Sequence, residues 1–221
     1  MATQTIPMDP AALAEAEARA EAEAAGYALP LVVQLAPVVE LDDDQFFELC
    51  AINRDLRIER NSRGELLIMP PAGLETSNWN LDLTMQVGLW TKRDGTGIAF
   101  DSSAGFTLPN GAERSPDAAW MLRSRWEQIS AEERKKFSRV CPDFVIELRS
   151  PSDRLRTLRA KMQEYLDNGV LLGWLIDPIV GRVHIYRPEA PVETLVKPDR
   201  LSGDPLLAGF VLDLREIWQQ G

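Results

Sequence analysis

The stretch Phe144-Val145-Ile146-Glu147-Leu148 constrains this chain more than any other. It follows the turn pair Pro142-Asp143, ends at Ser150-Pro151, and is apolar and β-branched in the manner of a short buried strand. A glutamate nevertheless stands in its middle. An ionised carboxylate in such a place costs on the order of several kcal/mol unless it is paired, protonated or bound to a cation. A fold that buries this strand has to bring Glu147 a partner.

The following segment offers one. Ser150–Asp153 is expected to start a helix that ends at Asn168-Gly169, with Leu155, Leu158, Met162 and Leu166 as its buried stripe. Lys161 and Tyr165 fall at the edge of that stripe, so the lysine can extend along the sheet face towards Glu147. Asp117, in "SPD", opens the short strand "DAAWML". Glu75 begins a helix over roughly Glu75 to Lys92, on the same stripe as Trp79, Leu83, Val87 and Trp90, and is expected to face inward as a third carboxylate.

Composition narrows the chemistry. The single histidine, His184, sits in "GRVHIYRP" as a residue of an edge strand turned away from the core. The two cysteines, Cys50 and Cys141, have neither zinc nor disulfide spacing. Carboxylates beside a lysine, without imidazole or thiolate, suit a hard divalent cation, Mg²⁺ or Mn²⁺. Such an ion would neutralise Glu147 and activate water against a phosphodiester, while the lysine orients or deprotonates that water or stabilises developing charge. A lone buried Glu paired with Lys or Arg is more often structural, and both readings stay open here.

Residues 1–48 carry ten acidic residues and one basic residue, whereas the remainder is nearly neutral, so the net charge of -10 belongs to an N-terminal arm. That arm, "AALAEAEARAEAEAAG" after Asp9-Pro10, is expected to be a surface helix stopped by Gly26. Between Arg149 and Lys161, five basic residues (Arg149, Arg154, Arg156, Arg159, Lys161) face one acid, Asp153. This favours a phosphate-bearing partner, although a solvated helix start explains it equally well. A second helix capped within Asp42–Asp44, a hairpin turning at Ser62–Gly64, a strand pair turning near Ser102–Gly105 and a capping box from Ser130 to Glu133 complete the outline. No membrane span or secretory signal is read, so a reduced, cytoplasmic protein is expected. The division is an arm over 1–37 and a single domain over 38–221.

Asp117 in "PD" followed by Glu147 in "VIELR" resembles the PD-(D/E)xK signature of restriction-endonuclease-like folds. In the same order, "RSPDAAW", "CPDFVIELRSPSDR", "KMQEYLDNGVLLGWLIDP" and "HIYRP" resemble the Uma family of restriction-endonuclease-like proteins. "GELLIMPPAGLETSNWN" and "LSGDPLLAGFVLDL" extend the likeness over roughly residues 38–218. The resemblance implies an α/β fold with a central mixed sheet flanked by helices, to which the N-terminal helix is an addition. It implies a Mg²⁺- or Mn²⁺-dependent DNA endonuclease, often a homodimer, with Asp117 and Glu147 as metal ligands and Glu75 as an accessory acid. The third position of the (D/E)xK triplet is Arg149, which stays protonated and could hold phosphate with Arg154 and Tyr165. Lys161 fits the relocated lysine that such folds tolerate. The alternatives are a catalytically silent nuclease-fold protein that binds DNA or protein, and a phosphohydrolase acting on small substrates.

Overall fold

The structure, a computed structural model, describes residues 30–219; residues 1–29, where the helix of the acidic arm is expected, lie outside the described residues. A central sheet of six strands has the order β12-β11-β10-β9-β7-β4, built from β4 (Gly97–Asp101), β7 (Ala118–Leu122), β9 (Phe144–Leu148), β10 (Leu172–Asp177), β11 (Arg182–Tyr186) and β12 (Glu193–Val196). It is mixed. β9 and β10 run parallel, and every other neighbouring pair is antiparallel. The parallel pair is joined by helix α4 (Leu155–Asp167), the crossover that two parallel neighbours require.

A second sheet, β1-β3-β2-β6-β5-β8, is built from the short strands β1 (Leu31–Val33), β2 (Arg57–Arg60), β3 (Leu66–Met69), β5 (Phe106–Thr107), β6 (Glu113–Arg114) and β8 (Ser138–Arg139). Its β2–β3 hairpin turns where expected, and Gly64 at φ 79° supplies the left-handed backbone of that turn. Helices α1 (Asp43–Ile52), α2 (Leu74–Asp94), α3 (Arg123–Gln128) and α5 (Arg215–Gln219), with a ribbon of β13 (Arg200–Ser202) and β14 (Val211–Asp213), complete the described chain. Asp42 caps α1 in a reciprocal box with Gln45.

Alternation along the central strands sends side chains to two cores. Ala118, Trp120, Phe144, Ile146, Trp174 and Ile176 pack with Trp79, Leu83 and Val87 of α2 and with the returning tail, including Phe210 and Leu212. Ala119, Met121, Val145 and Leu175 pack with Leu155, Leu158, Met162 and Tyr165 of α4. Glu147, two residues beyond Val145, takes its place on the α4 side. Both faces are covered, which explains why β9 and β10 read as continuous apolar runs rather than as alternating ones.

Three expectations are corrected. β4 and β5 do not pair, because β4 joins β7 in the central sheet while β5 joins β6 and β8 in the other. Ser130 and Glu133 do form their reciprocal cap, but it closes only a short 3₁₀ turn over Glu133–Lys135. β11 is flanked by β10 and β12, so His184 is buried in the sheet, with Nδ1 2.9 Å from the Thr194 hydroxyl.

Candidate active site

Where the two sheets meet α4, a cavity of about 970 Å³ receives side chains from five elements. Glu147 comes from β9, Asp117 from the residue before β7, Lys161 and Glu164 from α4, Glu59 from β2 and Arg114 from β6. Seven carboxylates and four basic groups line it, so its walls are acidic overall. Burial is deep: Glu59 and Glu147 are each 3% exposed and Asp117 6%.

Lys161 is the hub. Its Nζ lies 2.8 Å from Glu147 Oε1 and 2.9 Å from Glu59 Oε1. The Tyr165 hydroxyl donates to the same Glu147 oxygen at 2.9 Å. Glu59 also accepts from the Ser115 amide at 3.1 Å and from Arg114 at 3.0 Å, and Arg114 reaches on to Glu164 at 2.6 Å. Asp117 Oδ2 accepts the Leu148 amide at 2.8 Å, which fastens it to the strand end beside Glu147. Its Oδ1 meets only longer contacts, Asn80 at 3.3 Å and Arg57 at 3.5 Å.

These contacts do not satisfy the carboxylates equally. Burial, reinforced by the nearby Asp117 and Glu59 charges, outweighs Lys161 and pushes Glu147 up to about 7. Burial likewise outweighs Arg57, the Leu148 amide and Lys161 and raises Asp117. Glu59 goes the other way: burial opposes its charge, but Lys161, Arg114 and the Ser115 amide together hold it well below the usual range. Burial opposes the charge on Lys161 too, yet Glu147 and Glu59 win and keep the ammonium protonated. The lysine is therefore a donor here rather than a base.

The structure thus brings together Asp117, Glu147, Lys161 and Tyr165. It does not bring Glu75, which is exposed in the first turn of α2 and lines a different cavity; the inward position of that turn belongs to Thr76. Arg149 is fully buried and bonded to Asp177 at 2.8 Å, so no nucleic-acid backbone can reach it. Arg154 stands exposed just before α4. Glu59, Arg114 and Glu164 were not anticipated. The one trace of Glu59 in the sequence is a charged "RIER" at a hairpin strand, a pattern that solvent-facing strands share.

Among the described residues no group of three or more His, Cys, Asp or Glu side chains is arranged to hold a metal ion. The donor chemistry still suits a divalent cation: two buried carboxylates on one acidic wall, both with raised pKa, lack enough positive charge.

The family model described as "Putative restriction endonuclease", named Uma2, matches residues 43–215. The chain belongs to the Uma2 family. A crystal structure described as that of "a putative nuclease belonging to DUF820" from Anabaena variabilis ATCC 29413 superimposes with a TM-score of 0.64. The match covers 80% of this chain and 97% of that one at 22% identity, a likeness of fold. No curated protein matches the chain. Among the described residues no helix is long and apolar enough to cross a membrane.

Proposed function

We propose that this Uma2 protein is a Mg²⁺- or Mn²⁺-dependent DNA endonuclease. The reading is carried by Lys161, held between Glu147 and Glu59 beside Asp117 in one acidic cavity. An acidic wall repels a phosphodiester, so a cation is needed before DNA can approach. Asp117 and Glu147 would hold it; Lys161 and Tyr165 both bond Oε1 of Glu147, leaving Oε2 as the oxygen a cation would take. When bound, the ion supplies Lewis acidity and a nucleophilic water at neutral pH. Lys161, kept charged by its two carboxylates, donates to the non-bridging oxygens as negative charge builds on the phosphorane. Glu59 fixes its position. Arg154, exposed at the start of α4, supplies a backbone phosphate contact outside the cavity.

Lys161→Met should lower plasmid cleavage in Mn²⁺ by about 10²–10³-fold, the usual cost of losing one preorganised donor, and leave metal affinity nearly unchanged by calorimetry. Metal-independent cleavage, or cleavage surviving Asp117→Ala, excludes this reading.

One observation favours a silent binding fold instead. Lys161, Glu147, Glu59, Arg114 and Tyr165 bond to one another in a network of protein side chains. Absence of Mn²⁺ binding at about millimolar concentration, equivalent to roughly -4 kcal/mol, would select that reading.

The homodimer implied by the family finds support on α2. Leu74, Leu81, Met85 and Leu89 share one helix face at heptad-like spacing and are all exposed, Leu74 by 93%. Loss of the dimer in Leu81→Glu/Met85→Glu, read by analytical ultracentrifugation, tests the assignment.

A further inference from the structure

A second cavity, of about 370 Å³, lies at the start of α2; it shares only Thr76 with the acidic cavity and is independent of the nuclease reading. Its walls are largely apolar, with Trp79, Ile179, Val180, Ile217 and Trp218 among them. Besides the Thr76 hydroxyl, which can donate or accept, the buried polar side chains set into those walls are donors. Arg149 spends Nη1 on Asp177 and Nε on the Asp153 carbonyl, but its Nη2 is buried without a hydrogen-bond partner. The Trp79 indole N–H is also buried without one. Both are donors. α2 is 21 residues long and begins at Gly73 with no side-chain cap, so the amides of its first turn add donors and the positive end of the helix dipole. Lys197 lines the same cavity from an exposed position. Glu75 is the one carboxylate in the lining, and it is exposed.

Buried donors without acceptors are rare in native proteins and mark places where something else supplies the oxygen. We propose that this cavity binds a small organic anion, a carboxylate carried on a flat or branched apolar body. The carboxylate would accept from Arg149 Nη2 and the Trp79 indole at the head of α2, and the body would lie against Ile179 and Trp218. A bare inorganic anion would leave the apolar walls unfilled, and a neutral ring would leave the donors unpaired.

Benzoate, benzyl alcohol and inorganic phosphate separate these cases when each is titrated into the ¹⁵N-labelled full chain. The reporter is the Trp79 indole N–H resonance, assigned by its loss in Trp79→Phe. Benzoate should shift it with an affinity near about 1 mM. Benzyl alcohol should bind roughly tenfold more weakly, the usual worth of a charge-assisted hydrogen bond. Ile179→Trp should fill the cavity and abolish the shift, and Lys197→Gln should weaken it. No benzoate shift, a shift that survives Ile179→Trp, or an equal response to phosphate or to benzyl alcohol would overturn the proposal. None of these readouts involves DNA or metal, so failure here leaves the nuclease reading untouched.

Discussion

Two buried ionic groups stand within three residues of each other, Glu147 on β9 and Arg149 just past it, and they are solved in opposite ways. Arg149 has Asp177 to itself at 2.8 Å, both side chains are fully buried, and the Asp177 carboxylate also takes the Ile179 amide. Glu147 shares one lysine with Glu59 while Asp117 adds a third negative charge nearby. The first pair is balanced in charge, and only Nη2 of Arg149 is left without an acceptor. In the second, burial and like charge leave Glu147 poised near neutrality. A charge-balanced pair holds a fold together; an unbalanced carboxylate cluster has capacity left for a cation.

The largest expected effect breaks the closed pair. Arg149→Met leaves Asp177 buried and unpaired and should cost about 3–5 kcal/mol, read as a drop in urea midpoint. Arg149→Met/Asp177→Leu should recover most of it, because an apolar pair of similar volume carries no desolvation cost. If the single variant were nearly neutral, the two networks would not differ in the way described.

A smaller effect sharpens the other side. Folding raises the pKa of Glu147 above its unfolded value of 4.5, so the native state holds its proton more tightly. In metal-free protein its contribution to stability is greatest below pH 4.5 and is lost as the pH rises through about 7, a change on the order of 3 kcal/mol. Mn²⁺ should restore the melting temperature at neutral pH by binding the native state, and Glu147→Gln should flatten both the pH slope and the metal effect. Thermal scans at pH 5 and pH 7.5, with Mn²⁺ or EDTA, check this. A Glu147→Gln slope equal to that of the parent would assign the poise to Asp117 alone. The smallest effect falls outside both networks. Arg154→Ala should weaken DNA binding evenly across sequences and reduce the salt slope by about one.

Half of the site was legible in the chain because half of it is local. Glu147 and Lys161 belong to one strand–crossover–strand unit, where strand alternation and helical spacing set their directions. Asp117 adjoins the neighbouring strand. Glu59 and Arg114 arrive from a separate sheet, and nothing in "RIER" says which of its charges is buried. Glu75 misled for a related reason. Helical spacing placed it on the stripe of Trp79 and Leu83, but the stripe ends at Thr76, and the first turn is free to face water. β4 and β5 lie close in sequence and look like a hairpin, and only the competition of β7 for β4 sends them to different sheets. His184 failed similarly, because β12 covers the edge that periodicity left open.

The contact between Lys161 and Glu59 spans 102 residues. Loop-closure entropy must be met before such a distant pair can form, so contacts of this range belong to the late, slow part of folding. A partly folded chain can form the whole β9–α4–β10 unit before Glu59 reaches the lysine. The bonded network around Lys161 is complete only when the two sheets are docked, because Glu59 stands on one and Glu147 on the other.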